Sequence, residues 1–257
     1  MKAKIYVLIL IALCCNFTMP VGAQKITIVY DNYLHKDKYQ ADWGFSCIID
    51  YNNKSILFDT GTRRDVFVHN LTELKENLNR IDMIVISHNH GDHTGNLHTV
   101  LETKNDLTVY MPFSTPAEDI KKIKDAGAKV VQDKKPRELG NHLYLSGELG
   151  TTIKEQALFM DTPKGIVVIT GCAHPGITDI VAKAKEIHKK DIYLVLGGFH
   201  LGSYSENQIQ KIIRDFKDMG VQNVAPSHCT GDKAIEMFKE AYGDNYIKIG
   251  VGKELEI

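Results

Sequence analysis

The chain has 257 residues, of which 43% are hydrophobic and 25% charged, a composition that can bury a sizeable core and excludes a disordered chain. Its formal net charge of −1 gives no electrostatic footprint for nucleic acid or for an anionic membrane surface. Five cysteines without CxxC spacing argue against a disulfide framework.

At the N-terminus Lys2 and Lys4 precede the apolar stretch YVLILIALCC, which is too short to span a bilayer comfortably. Val21-Gly22-Ala23 then offers a small-residue cleavage site, so residues 1–23 read as a secretory signal and residues 24–257 as one domain. Cys14 follows Leu13 and Cys15 follows Cys14, whereas lipoprotein processing wants a small residue there. The expectation is a soluble exported protein, periplasmic, with no stable membrane insertion after cleavage. Cys47, Cys172 and Cys229 remain; small-residue packing is their default reading, set above a zinc-binding thiolate at Cys172 or Cys229 beside His174 and His228, with a Cys172–Cys229 bridge as the one pairing left open.

KITIVYDN, GFSCIIDY and KSILFDTG read as strands, the second and third joined by a turn at Asn52-Asn53. Val66, Phe67, Leu71, Leu74 and Leu78 fall at helical spacing and predict a helix over 63–79, ahead of the strand IDMIVIS. DLTVY, a helix over 115–126, AKVVQ and HLYLSGEL follow, then EQALFMDT and GIVVITG about a Pro-Lys turn. A helix over 176–189, DIYLVLGG, a helix over 205–219, QNVAP, a helix over 231–242 and a final strand YIKIG complete the chain. Two halves that each mix hairpins with helices predict an α/β fold, two sheets face to face with helices outside.

Four of these apolar strands end in polar loops that carry histidine. IDMIVIS runs into His88, His90, Asp92 and His93; GIVVITGCAH reaches His174; DIYLVLGGFH reaches His200; and NVAPSHCTG reaches His228. Six of the 11 histidines occupy these loops, and loops at the carboxyl ends of strands are where α/β sheets build their sites. In an extended segment residues two apart point the same way, so His88 and His90 can face one ion. A tight turn at Gly91 then brings Asp92 and His93 toward a neighbouring position. Imidazole and carboxylate suit Zn²⁺, with Fe or Mn as alternatives. His35, His69, His98, His142 and His188 lie outside these loops and read as solvated or structural.

HxHxDH after a strand, followed by GCAHPG, GGFHL and PSHCTG, resembles the metallo-β-lactamase-fold superfamily over essentially the whole chain from about residue 26. Within it the three later motifs are similar to the group named for 7,8-dihydropterin-6-yl-methyl-4-(β-D-ribofuranosyl)aminobenzene 5′-phosphate synthase. The resemblance implies a four-layer αββα sandwich of two mixed sheets. It implies one metal on His88, His90 and His174, a second on Asp92, His93 and His228, and a metal-activated water as nucleophile, oriented by Asp92. It also implies that Asp59, at the end of LFD, accepts hydrogen bonds from the ligand loop. Many members carry a bridging aspartate where this chain has His200, so one ion or two are both open. His200 is then a metal ligand, a general acid or a substrate contact, and Gly197-Gly198 before it argues for close backbone approach.

The function expected from this resemblance is a metal-dependent hydrolase acting on a small ester, lactone or phosphate-containing metabolite, through a metal-bound hydroxide. A mononuclear iron oxygenase on the same scaffold and a non-catalytic metal- or ligand-binding protein are the alternatives. The partner is a small-molecule substrate; nuclease function finds no basic stripe. Export fits poorly with the cytosolic pterin chemistry in the group's name, so no substrate is assigned from it.

Overall fold

A computed structural model of the protein describes residues 24–257, and the signal expected over 1–23 lies outside the described residues. β1 (Lys25–Tyr30), β2 (Ser46–Tyr51) and β3 (Lys54–Phe58) form an antiparallel meander. Asn52 and Asn53 both take positive φ, 47° and 62°, as a two-residue hairpin turn with the twist of its strands requires. Helical crossovers then make the next strands parallel. α1 (Arg64–Leu74) leads to β4 (Met83–Val85), α2 (Gly91–Thr94) and α3 (Leu97–Thr103) to β5 (Thr108–Pro112), and α4 (Ala117–Asp125) to β6 (Lys129–Asp133).

The second half repeats this plan. β7 (Arg137–Gly140), β8 (Leu143–Leu145), β9 (Leu158–Thr162) and β10 (Gly165–Thr170) are antiparallel. α5 (Ile177–His188), β11 (Ile192–Gly198), α6 (Glu206–Asp218) and β12 (Val221–Ser227) add two strands parallel to β10. After α7 (Asp232–Tyr242) the chain returns β13 (Glu254–Glu256) to the first sheet beside β1. The sheet orders are β13-β1-β2-β3-β4-β5-β6 and β12-β11-β10-β9-β8-β7.

Three apolar layers hold the halves together. Between the sheets, Ile28, Cys47, Ile49 and Phe58 face Met160, Val167, Ile169 and Leu196. The outer face of the first sheet, with Val29, Ile48 and Leu57, packs under Phe67, Leu97 and Ile120 of α1, α3 and α4. That of the second, with Phe159, Val168 and Val195, packs under Ile180, Phe216 and Phe238 of α5, α6 and α7. Alternate residues of a strand point to opposite faces, so strands covered on both sides need continuous apolar runs such as IVVIT. The result is the four-layer αββα sandwich that the sequence resemblance implies.

Four local expectations need correction. The helix expected over 63–79 ends at Leu74, because Lys75 turns left-handed (φ 58°) and gives its N–H to the Leu71 and Thr72 carbonyls. Leu78 belongs instead to a separate 3-10 turn, Leu78–Arg80. HLYLSGEL carries only the short β8, and the polar edge strand β7 ahead of it has no apolar alternation to reveal it. YIKIG forms no strand: Tyr246 bridges to Val224 of the second sheet, while Val251 bridges to Leu34 beside the first. That segment crosses from one sheet to the other, so it cannot run along either edge. Finally, Gly91 starts α2 rather than making a tight turn, with His90 as the helix N-cap.

Ile169 is fully buried between the sheets. Ile169→Ala is expected to lower unfolding stability by about 2–5 kcal/mol, read from the denaturant midpoint. A loss below about 1 kcal/mol would contradict close packing of the inter-sheet layer.

Candidate metal centre

β1, β3 and β4 run parallel in the first sheet and β10, β11 and β12 in the second, so their carboxyl ends gather at one edge of the sandwich. Every expected ligand follows one of these ends. Four residues there take left-handed backbone conformations that non-glycine residues rarely adopt: Asp59 (φ 54°), Ala173 (φ 62°), His200 (φ 54°) and His228 (φ 49°). Each costs about 1–2 kcal/mol, which local hydrogen bonds must offset.

The donor atoms fall into two adjoining groups. His88, His90 and His174 bring ring nitrogens within 4.8 Å of one another, with His88 Nε2 3.0 Å from His90 Nδ1. Asp92, His93 and His228 form the second group under the same limit, joined by the Cys172 thiol. Asp92 Oδ2 lies 3.6 Å from His93 Nε2 and 3.5 Å from His228 Nε2, and the Cys172 sulfur is 3.3 Å from His93 Nε2. The rings of His88 and His93, one from each group, stand 4.2 Å apart. His200 lies beside His174, ring centroids 4.3 Å apart, and groups with His174 and Cys172.

Neighbouring acceptors fix which nitrogen of each buried ring faces the cluster. Asp59 is fully buried; its Oδ1 accepts the Ser87 backbone N–H and its Oδ2 the Ser87 hydroxyl, each at 2.7 Å. Oδ2 also takes His93 Nδ1 at 2.7 Å, and Ser87 Oγ meets His88 Nδ1 at 2.9 Å. Asn32 Oδ1 accepts the Gly44 N–H and so meets His228 Nδ1, 3.0 Å away, as an acceptor. Each of these rings therefore holds its proton on Nδ1 and turns the Nε2 lone pair toward the cluster. His228 Nε2 and His174 Nε2 are buried without a hydrogen-bond partner among the described residues, and each belongs to one of the donor groups, an arrangement that a cation would satisfy. Burial, then the neighbouring His200, lowers the His174 imidazole to about 4, and burial with the adjoining histidines keeps His88 neutral.

The loop bearing His174 hangs on one carboxylate. Glu155 is fully buried and accepts the backbone N–H groups of Gly171, Cys172 and Ala173 on Oε1 and that of His174 on Oε2, at 2.9–3.1 Å. Gly171 is needed for close approach, since a Cβ there would sit 2.1 Å from Ser87 Oγ and 2.9 Å from Asp59 Oδ2. Gly198, as its sequence context implies, is similarly tight: a Cβ would meet the Gly171 carbonyl at 2.4 Å.

Toward solvent the cluster presents His90 and His200, and next to Asp92 and His228 the indole of Trp43, 56% exposed. Trp43 Nε1–H donates to Asp92 Oδ2 at 2.8 Å, and its ring centroid lies 5.0 Å from that of His228. A groove of about 720 Å³ between α3 and α4 touches Asn89 and Gly91 but is lined by none of the donor residues. Its walls include Leu97, Leu101 and Ile123, so it adjoins the site without forming it.

Asn32, Trp43, Glu155 and the Cys172 thiol are absent from the sequence-based site. Asn32 and Trp43 sit in irregular segments, and Glu155 opens an apolar stretch like any strand-flanking acid, so local pattern carries no signal for them. Cys172 and Cys229 are free thiols; Cys229 Sγ rests against the Cys172 carbonyl at 3.5 Å.

A family model described as the Metallo-beta-lactamase superfamily matches residues 44–174. The 7,8-dihydropterin-6-methyl-4-(beta-D-ribofuranosyl)-aminobenzene-5'-phosphate synthase of Methanocaldococcus jannaschii is 28% identical over 282 residues, covering 89% of this chain and 95% of that one. The uncharacterized protein MJ0448 of the same organism is 31% identical over 271 residues, covering 90% of this chain and all of its own length. Among solved structures, Tm1679, described as a metal-dependent hydrolase of the beta-lactamase superfamily, superposes with a TM-score of 0.76 at 28% identity. That match covers 91% of this chain and 99% of the other.

Asp59 provides a direct test of how the cluster is oriented. In Asp59→Asn, any amide orientation sets its NH₂ against a donor, either the Ser87 N–H or the Ser87 hydroxyl and His93 Nδ1–H. Zinc affinity, measured by chelator competition, is expected to fall about 10–100-fold while far-ultraviolet circular dichroism stays native. Unchanged affinity would remove the carboxylate from any role in orienting the ligands.

Proposed function

The chain belongs to the metallo-beta-lactamase superfamily, and on that premise we propose that it is a metal-dependent hydrolase of a small ester, lactone or phosphate-containing metabolite. The observation that carries this reading is the pair of adjoining donor groups around the unpartnered Nε2 atoms of His174 and His228. Three imidazoles suit one divalent ion; two imidazoles and a carboxylate suit a second, and zinc matches both sets. His88, His90 and His174 would hold the first, with Asp92, His93 and His228 on the second. When bound, the ions supply Lewis acidity and lower the pKa of a coordinated water toward neutrality.

The chain's own residues account for the remaining requirements. Asp92 is held by the Trp43 N–H and is half-buried at the mouth, where it orients the attacking water. His200 is exposed beside His174, on the side from which substrate enters, and serves as general acid to the leaving group. The Trp43 indole offers a flat apolar wall to the substrate. The 5'-phosphate in the name of the methanogen relative supports the phosphate-containing class, and its synthase chemistry is not carried over.

Metal content by mass spectrometry, on protein purified without added metal, tests the first half of this reading. Hydrolysis of lactones, carboxylic esters, phosphomonoesters and phosphodiesters tests the second. About two ions per chain are expected, and His88→Ala should lower turnover by about 100-fold or more. His200→Ala should keep its metal yet lose about 10²–10⁴ in turnover. A chain that bound no metal, or a His88→Ala protein with full activity, would overturn the hydrolase.

The chain has one tryptophan, so its fluorescence reports on this mouth alone. Zinc added to metal-free protein is expected to change the Trp43 emission, because the ion draws on the Asp92 and His228 groups that the indole touches. An emission unaltered through saturating zinc would separate the metal from Asp92 and His228.

A further inference from the structure

Where the superfamily commonly has a bridging aspartate, this chain has His200, and His200 lies beside His174. Cys172, like His174, is shared between two neighbouring groups. Its sulfur lies within 4.8 Å of donor atoms of Asp92, His93 and His228, and equally within a group formed with His174 and His200. We propose that Cys172 is a thiolate metal ligand that completes the second ion's donor set and takes the place of the missing carboxylate. The proposal rests on the metal-centre reading given above.

Three features of the structure favour a ligand over a packed thiol. First, the group is a full tetrahedral complement for zinc, one carboxylate, two imidazoles and one thiolate. Second, His228 Nε2, in a ring only 1% exposed, is aimed into the same group without a partner among the described residues. Third, Glu155 clamps the backbone N–H of Cys172 and of both its neighbours, so the sulfur is positioned before an ion arrives. Cys229 belongs to none of these groups; its sulfur lies against the Cys172 carbonyl and thiol and the His200 side chain. Cys47 lies far off in the inter-sheet layer.

Binding forms a sulfur–metal bond and releases the thiol proton to solvent, with no change of oxidation state. A soft sulfur donor among nitrogen and oxygen favours zinc or cobalt over manganese. The chain would thus keep a two-ion centre without the carboxylate that other members use.

Cobalt(II) loaded into the full chain tests the assignment by spectroscopy rather than by activity. Wild type and Cys229→Ser should show a near-ultraviolet sulfur-to-cobalt charge-transfer band, and Cys172→Ser should lose it while keeping the visible cobalt bands. Zinc-edge X-ray absorption of wild type should show a sulfur scatterer, a measurement that needs no variant to fold. Cobalt bound without the charge-transfer band, or a band that survives in Cys172→Ser, would overturn the thiolate ligand and leave the metal centre standing. A wild-type chain that took up neither cobalt nor zinc would overturn both.

Discussion

The Asp59 carboxylate, buried at the end of β3, holds the Ser87 backbone, the Ser87 hydroxyl and His93 Nδ1 at once. Through Ser87 it also reaches His88. One carboxylate thus ties the first sheet to the ligand loop and decides the tautomers of two histidines, one from each donor group. An uncompensated charge at such depth would cost several kcal/mol, so Asp59 and its donors form or fail together. The close approach of Gly171 brings the second sheet against this same pair.

The site stores cost that the rest of the fold carries. Four left-handed residues at strand ends, and lone pairs of imidazole nitrogens facing one another at a few ångströms, are each unfavourable without a cation. The three apolar layers supply the stability that keeps these groups in place. Glu155 does the equivalent for the loop of His174, replacing water with a buried carboxylate for four backbone N–H groups. A centre held this way needs little rearrangement when charge develops, which is the physical basis of electrostatic preorganisation.

The donor cluster divides between the core and the rim of the sandwich. The buried donors, His88, His93 and His228, are fixed from within the sandwich, whereas His90, His200 and Trp43 meet solvent at its rim. The core side of the cluster thus carries the held donors, and the rim carries loop residues that can vary without disturbing the layers.

Much of the scaffold was legible in the residues alone. IVVIT and YLVLGG announce strands covered on both faces, and the paired asparagines announce a hairpin turn. The histidines at the strand ends announce a donor cluster, because local spacing suffices to put donors in one loop. What the sequence did not reveal arises between distant segments. His228 meets Asn32 across 196 residues and Cys172 meets His93 across 79. Such meetings depend on sheet order and on the packing of one sheet against the other, which no periodicity records. Sequence by itself therefore determined which loops bear donors and why they suit a metal. Only the tertiary structure decided that His200 stands beside His174, that Glu155 and Asn32 hold the loops bearing His174 and His228, and that the Cys172 thiol joins Asp92, His93 and His228.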